Sequence, residues 1–267
     1  MTNARKHSRI SIVLVAVFFF SLLSLLAAAQ EKEEFSCTVG PGAVISLTNN
    51  YGPISVKPSG TSKVVVETVS HSDAVSVVNE QHGDRIELRS MSSHQENNLV
   101  DYTVLVPAAA FICLRSSDGT LRAQGLRGDV VLESVSGSVE VTDISDAHLH
   151  VKTLSGPITL TDIRNSHLDI HSIRGNVNLH NVTGPSVEVS SGAGQITYDG
   201  DPGRVGEYLF TSHTGDLEVS IPANAWVEIK VRSIKNQSPG IPQGGECARH
   251  RSSQSVGKAG KEAWFPC

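Results

Sequence analysis

Residues 137–193 divide before recurring glycines into three segments: GSVEVTDISDAHLHVKTLS (137–155), GPITLTDIRNSHLDIHSIR (156–174) and GNVNLHNVTGPSVEVSSGA (175–193). Gly194 begins the next segment, so three successive steps are 19 residues each. A fixed period of about 20 residues is typical of proteins built from stacked repeats. We therefore predict that stacked coils organise this chain.

Apolar and polar residues alternate within each segment. Val139 and Val141 follow Gly137 with Glu140 between them, and Leu149 and Val151 form a second apolar pair. This period of two indicates strands with one buried face. One coil cannot bury its own apolar face, so coils must stack about 4.8 Å apart and pair each strand with the next. The predicted fold class is all-β: a parallel β-helix-like β-solenoid with about 19 residues and two short strands per coil.

The corners between strands have their own pattern. The repeat glycines are expected to adopt the positive φ that a sharp corner often needs. Asp143, Asp162 and Asn181 each lie six residues after a repeat glycine. Because such side chains commonly bond nearby backbone in turns, we predict a stacked ladder of Asp and Asn at one corner.

The sequence divides into five regions. Residues 1–29 resemble a signal peptide, because Arg5, Lys6 and Arg9 precede an apolar run and Ala27–Ala29 supply a cleavage site before Gln30. The alternative is an uncleaved membrane anchor, since residues 10–26 lie at the short limit of a spanning helix. The remaining regions are a leader (30–36), an irregular N-terminal β cap (37–118), the solenoid repeats (119–235) and a flexible tail (236–267).

Two further local patterns refine these regions. His82-Gly83-Asp84 separates two alternating runs and predicts a hairpin within the cap region. Near the other end, residues 215–222 and 226–231 resemble a terminal pair of strands. Such a pair would hide the open end of the core.

Composition and cysteine content limit the function classes. A formal charge of −5 argues against nucleic acid as a partner, since phosphate binding needs a basic face. No motif indicates a cofactor. Cys37, Cys113, Cys247 and Cys267 allow three disulfide pairings in an exported chain, and the sequence does not choose among them. For Cys113, in the apolar run 111–114, the simplest interpretation is a buried free thiol.

Histidines supply the candidate site. His148, His150, His167, His171 and His180 fall within 33 residues. In the 19-residue register, three outward columns form on neighbouring coils. This face could bind a macromolecule, respond to pH or hold a divalent metal, and it could also be an ordinary solvated ladder. The columns are His148 with His167, His150 with Asp169 and Glu188, and Lys152 with His171.

Evidence for catalysis is weak. β-helix enzymes that act on polysaccharides need carboxylates gathered in one groove. Asp143 and Asp162 are neighbours in the register, but they occupy positions where turn residues belong. We therefore assign no catalytic residue.

The chain resembles a bacterial family of exported β-strand-repeat proteins grouped as adhesins, a domain of unknown function akin to auto-transporter adhesin head domains. The likeness spans residues 37–234 and is carried by the glycine units and by Val104–Pro107, Ser116–Gly119 and Thr214–Pro222. The units begin at Gly137, Gly156, Gly175, Gly194 and Gly215. The resemblance implies a β-repeat fold and an adhesin-like role, and it transfers no catalytic residue.

The leading hypothesis is an exported, non-enzymatic adhesin-like protein of the periplasm, cell surface or medium. Its partner would be an envelope or host glycan or protein, bound on a solenoid face. The alternatives are a carbohydrate-active β-helix enzyme and an envelope sensor or scaffold anchored in the membrane by an uncleaved N-terminal segment.

Overall fold

A computed structural model describes residues 31–72, 75–92 and 99–231. The predicted signal peptide (1–29) and tail (236–267) lie outside the described residues. Contacts divide the chain into residues 1–31 and 32–267. Within the described ranges, no helix has the length and apolarity needed to cross a membrane.

The regular elements of the described ranges are strands. In chain order they are β1 (Glu31–Thr38), β2 (Val44–Tyr51), β3 (Ile54–Pro58), β4 (Lys63–Ser70), β5 (Val75–His82), β6 (Arg85–Ser92), β7 (Val100–Val106), β8 (Phe111–Asp118), β9 (Leu121–Gln124), β10 (Val130–Ser134), β11 (Val139–Thr142), β12 (His148–Thr153), β13 (Ile158–Ile163), β14 (His167–Ser172), β15 (Val177–Val182), β16 (Ser186–Ser191), β17 (Ile196–Asp199), β18 (Glu207–Ser212) and β19 (Leu217–Ser220).

Two sheets contain these strands. Sheet A has the order β1-β4-β7-β3-β9-β11-β13-β15-β17-β19, and sheet B has the order β18-β16-β14-β12-β10-β8-β2-β6-β5. From β8 onward, successive strands alternate between the sheets and pair in parallel with the strand of the next coil. The strands of region 37–118 extend the same two sheets.

The register matches the spacing of the glycines. Ile158 pairs with Val177 in sheet A, and Leu149 pairs with Leu168 in sheet B, each across 19 residues. The prediction of a β-solenoid with two short strands per coil is therefore confirmed, and about six turns are present.

The core lies between the two sheets and is made of the inward members of each alternating pair. Ile158, Leu160 and Val151 are 0% exposed, whereas the intervening Thr159 and Lys152 face outward. Burial of each inward Val, Leu or Ile side chain favours folding by roughly 1.5–3 kcal/mol relative to exposure. The β-branched Val and Ile also suit a pleated, half-buried surface.

The repeat glycines do not have the conformation expected from the sequence. Positive φ among glycines occurs at Gly42, Gly52, Gly60, Gly83, Gly125 and Gly203, so the expectation is wrong for the series from Gly137 to Gly215. The reason for glycine there is close stacking. A Cβ on Gly175 would lie 2.0 Å from the carbonyl oxygen of Gly156, and the same crowding recurs from coil to coil.

The predicted ladder of Asp and Asn is confirmed. Asp143, Asp162 and Asn181 have φ values of 55°, 56° and 53°, in the left-handed region. The Asn181 amide Nδ2 donates to Asp162 Oδ1 at 2.5 Å, joining adjacent coils. A second ladder lies nearby, where Asn165 Nδ2 donates to Asp146 Oδ1 at 2.6 Å.

The two ends of the solenoid differ. At the N-terminal end, β4 and β7 pair antiparallel, and β5 and β6 form the predicted hairpin, which is confirmed. At the other end, the strand predicted for residues 226–231 is wrong, since these residues are irregular and Trp226 is 81% exposed. Pro222 lies two residues after the end of β19 and has no amide hydrogen to donate to a neighbouring strand. The Ala225 amide donates to the Pro222 carbonyl in a turn at 3.0 Å.

The state of Cys113 differs from the expectation drawn from the sequence. Cys113 is disulfide-bonded, so the free thiol inferred from its apolar surroundings is wrong. Cys113 pairs with Ser46 on β2 and with Val131 on β10. Both partners alternate with buried residues, so the three side chains lie on the outer side of sheet B. Cys37 is a free thiol, and burial raises its pKa. Cys247 and Cys267 lie outside the described residues.

Candidate functional site

The candidate site lies on the outer face of sheet B, on three adjacent parallel strands. In β12, β14 and β16 every second residue is buried, and most of these buried residues are apolar, so the alternate residues point outward. The structure brings together all seven site residues predicted from the sequence. This histidine face consists of His148, His150, Lys152, His167, Asp169, His171 and Glu188.

The first column contains a stacked pair of imidazoles. The rings of His148 and His167 have centroids 4.9 Å apart and planes inclined by 13°. His148 Nδ1 also lies 3.1 Å from Asp129 Oδ1, one coil earlier. Both rings are exposed, so the pair is open to solvent and to a ligand.

A carboxylate between two imidazoles forms the centre of the face. Asp169 Oδ2 lies 3.1 Å from His150 Nδ1, and Asp169 Oδ1 lies 2.8 Å from His171 Nε2. The side chains of His150, Asp169 and His171 are 19%, 30% and 46% exposed, so the group is partly withdrawn from water. Partial withdrawal strengthens the interaction between these groups relative to a fully solvated pair.

The electrostatics of Asp169 follow from this arrangement. Burial alone would raise its pKa, but the hydrogen bond from His150 and the nearby charges of His171 and His150 outweigh burial. The pKa of Asp169 therefore lies below its ordinary value. This carboxyl group stays ionised throughout the range in which histidines ordinarily titrate, near pH 6.5.

The hypothesis of a metal site gains no support. In the described part of the chain, no group of three or more His, Cys, Asp or Glu residues is arranged to hold a metal ion. The close nitrogen–oxygen contacts of His150, Asp169 and His171 are direct pairings between the side chains.

The carboxylates considered for catalysis have structural roles. Asp143 accepts from the Arg164 guanidinium at 2.6 Å, and Asp162 accepts from Asn181. Both residues have positive φ at the corner. Their position in the turn therefore accounts for them without a reaction.

His180 is separated from the other histidines of the sequence cluster. It lies on β15 of sheet A, where its Nδ1 is 3.0 Å from Asp199 Oδ2. His180 is exposed and carries the same kind of carboxylate partner as His148. It is therefore a matched control for experiments on the histidine face.

Sequence reasoning missed a groove beside the histidine face. This corner groove encloses about 430 Å³, between charged side chains of sheet B and an apolar ladder at the adjoining corner. The ladder side chains Val135, Leu154 and Ile173 are 47%, 37% and 51% exposed. They lie two residues before Gly137, Gly156 and Gly175, so the register would have revealed them. The charged lining comprises Arg115, Glu133 and Lys152, and Arg115 Nε donates to Glu133 Oε2 at 2.9 Å.

Comparisons with known proteins address the fold. Residues 44–236 match the model of a family described as Toastrack DUF4097. A "putative cell adhesion protein" from Clostridium sporogenes ATCC 15579 aligns at 12% identity and a TM-score of 0.41, over 72% of this chain and 100% of that chain. A "putative adhesin" from Bacteroides fragilis NCTC 9343 aligns at 12% identity and 0.44, over 73% and 99%. Both TM-scores are below 0.5, so neither likeness supports an inference about function. No curated protein matches the chain.

Proposed function

The chain belongs to the Toastrack DUF4097 family, and we propose that it is a non-enzymatic, adhesin-like protein that binds a macromolecular partner on the outer face of sheet B. One observation carries the proposal. The histidine face and the corner groove adjoin on the same side of the same sheet, and Lys152 belongs to both.

This combination suits a binding surface. Every outward side chain of β12 and β14 is fixed to a backbone that pairs on both sides, so the surface is preorganised and loses little entropy on binding. The exposed ladder of Val135, Leu154 and Ile173 offers apolar contact next to polar groups. Partly apolar patches rimmed by polar residues often mark interaction sites.

The proposal places the protein outside the cytoplasm. The signal-like segment at residues 1–29 motivates this, and the disulfide at Cys113 is typical of an oxidising compartment. N-terminal sequencing of the mature protein tests it, with Gln30 as the expected first residue. An intact N-terminus at Met1 would favour the membrane-anchored alternative.

The binding role is tested with a glycan array and with immobilised envelope proteins. We compare wild type, His148→Gln/His167→Gln and Leu154→Ser with the sheet A control His180→Gln. Binding should fall in the first two variants and persist in His180→Gln. Equal loss in the control, or unchanged binding in both face variants, would contradict the proposed surface.

The enzymatic alternative is tested with the same glycans in solution. Release of new reducing ends or unsaturated sugars would show turnover. We expect none, because the two aligned carboxylates, Asp143 and Asp162, are engaged in the turn.

A further inference from the structure

The outer face of sheet B is net negative when its histidines are neutral. From β8 to β18, two cationic side chains face five carboxylates, a balance of −3. A face of this sign repels a polyanion, as does the whole chain with its charge of −5. The cations are Arg115 and Lys152, and the carboxylates are Asp129, Glu133, Asp169, Glu188 and Glu207.

Protonation of four histidines reverses that balance. His148, His150, His167 and His171 lie on two neighbouring strands, and four added charges bring the face to +1. The change is concentrated on β12 and β14, while most of the carboxylates lie on the strands to either side. Acidification therefore creates a cationic band across a face that is otherwise acidic.

The geometry of the band favours binding of an anion that contacts side chains of two neighbouring coils at once. When charged, the stacked rings of His148 and His167 repel each other across 4.9 Å between centroids. Lys152 and His171 are register partners and form a second pair of like charges. An anionic group bound against both members of either pair relieves this repulsion. Proton binding and anion binding are thus thermodynamically coupled.

Asp169 keeps its charge over the pH range in which imidazoles ordinarily change theirs, so it does not offset the change in charge of the face. Asp169 remains ionised because the pKa of its carboxyl group is low, and it already contacts His150 and His171. Between about pH 7.5 and pH 5 the imidazoles are the side chains that ordinarily change charge. The switch therefore belongs to the histidines.

We propose that the histidine face binds an acidic polysaccharide, one that carries carboxylate or sulfate groups, at mildly acidic pH and releases it near neutral pH. This inference rests on the proposed function, because it names the partner class of the same face. A glycan suits the largely exposed band, which runs along the two neighbouring strands β12 and β14, about 4.8 Å apart.

Calorimetry of the full protein with defined probes tests the inference. The probes are dextran sulfate, polygalacturonate and, as the neutral control, unsubstituted dextran, each at about pH 5 and about pH 7.5. We expect both polyanions to bind at least about tenfold more tightly at the lower pH and dextran to bind at neither. Titrations near pH 6.5 in buffers of different ionisation enthalpy should show net proton uptake on binding.

Three variants identify the groups responsible. His148→Gln/His167→Gln should lose most of the pH dependence, and Lys152→Gln should weaken binding at low pH while it keeps the pH dependence. His180→Gln should behave as wild type, because His180 lies on sheet A. Circular dichroism spectra that match wild type establish that each variant is folded.

The outcomes separate this inference from the proposed function. Polyanion binding that is equal at both pH values, absent at both, or equally reduced by His180→Gln would overturn the pH-dependent inference. If the glycan array or the envelope proteins still give a ligand that the face variants lose, the proposed binding role stands without the polyanion. If polyanions bind as expected and His148→Gln/His167→Gln loses that binding, both the proposed binding face and the pH-dependent inference are supported.

Discussion

The ideal Cβ position of Gly156 lies 1.9 Å from the carbonyl oxygen of Gly137, one coil earlier. Real Cβ atoms are essentially never found this close to another heavy atom, so any side chain at position 156 would force the coils apart. The same contact recurs at Gly175, Gly194 and Gly215, at 2.0–2.1 Å. The glycine series therefore sets how closely the coils can stack at this corner.

Gly156→Ala should be among the most damaging single substitutions. The obstructing atom is backbone and cannot rotate away, so we expect a loss of roughly 3–5 kcal/mol in the free energy of unfolding. Urea denaturation measures it. Gly42→Ala is the control, since no atom lies within 4 Å there and its cost comes from a φ of +80°, about 1–2 kcal/mol. A Gly156→Ala cost no greater than that of the control would contradict the close-stacking explanation.

The ladder of Asp and Asn should contribute measurably to stability. Asp162→Ala removes the acceptor for Asn181 and places Ala at a φ of 56°, so we expect a loss of about 2 kcal/mol. Asp162→Asn keeps a side chain that tolerates this φ and should cost less. Thermal and urea unfolding of the two variants compare them directly. Equal stability of the two variants would mean that the side chain has no role at the corner.

Asp169 should make stability depend on pH in a defined direction. Its pKa in the folded state is below its ordinary value of about 3.9, so its stabilising contribution is present above that value and is lost as pH falls further. Asp169→Asn should therefore lower the melting temperature near pH 6 and converge with wild type near pH 2. The control Thr159→Ala, which removes an outward hydroxyl on sheet A, should follow the wild-type profile. A constant difference between wild type and Asp169→Asn at all pH values would refute this assignment.

The thiols should differ in reactivity. In the native, unreduced protein, alkylation should label Cys37, which is free and half-buried, and should not label Cys113, which is disulfide-bonded. Mass spectrometry of the digested protein reads both sites. After reduction in denaturant, Cys113 should become labelled as well. Labelling of Cys113 before reduction would contradict the structure.

Several features follow from the one-dimensional pattern because they repeat. Alternation over a fixed period places Leu160 and Val151 inside and Asp169 outside once coils are assumed to stack. The same register identifies the columns of the histidine face, since pairing partners in a stacked parallel sheet are separated by one period. The exposed apolar residues of the groove, Val135, Leu154 and Ile173, also recur at 19-residue intervals, so the same register places them side by side at one corner.

Other features do not repeat along the chain, and two predictions about such features were wrong. The apolar run around Cys113 gives no sign that its side chain belongs to the outward series or forms a disulfide. Residues 226–231 alternate like a strand, yet Pro222 and the turn at Ala225 leave them without a ladder. Pairing depends on what lies alongside, and a single segment does not contain that information.

The sequence by itself determined the fold class, the length of the coil and which residues of each strand face the core. The repeat length and the alternation of apolar residues can both be read directly from the linear sequence. Only the tertiary structure decided why the glycines are required and how close the rings and carboxylates of the histidine face lie. Those answers depend on distances between coils, such as 1.9 Å at Gly156 and 2.8 Å between His171 Nε2 and Asp169 Oδ1. Such distances arise only when separate turns of the chain pack together.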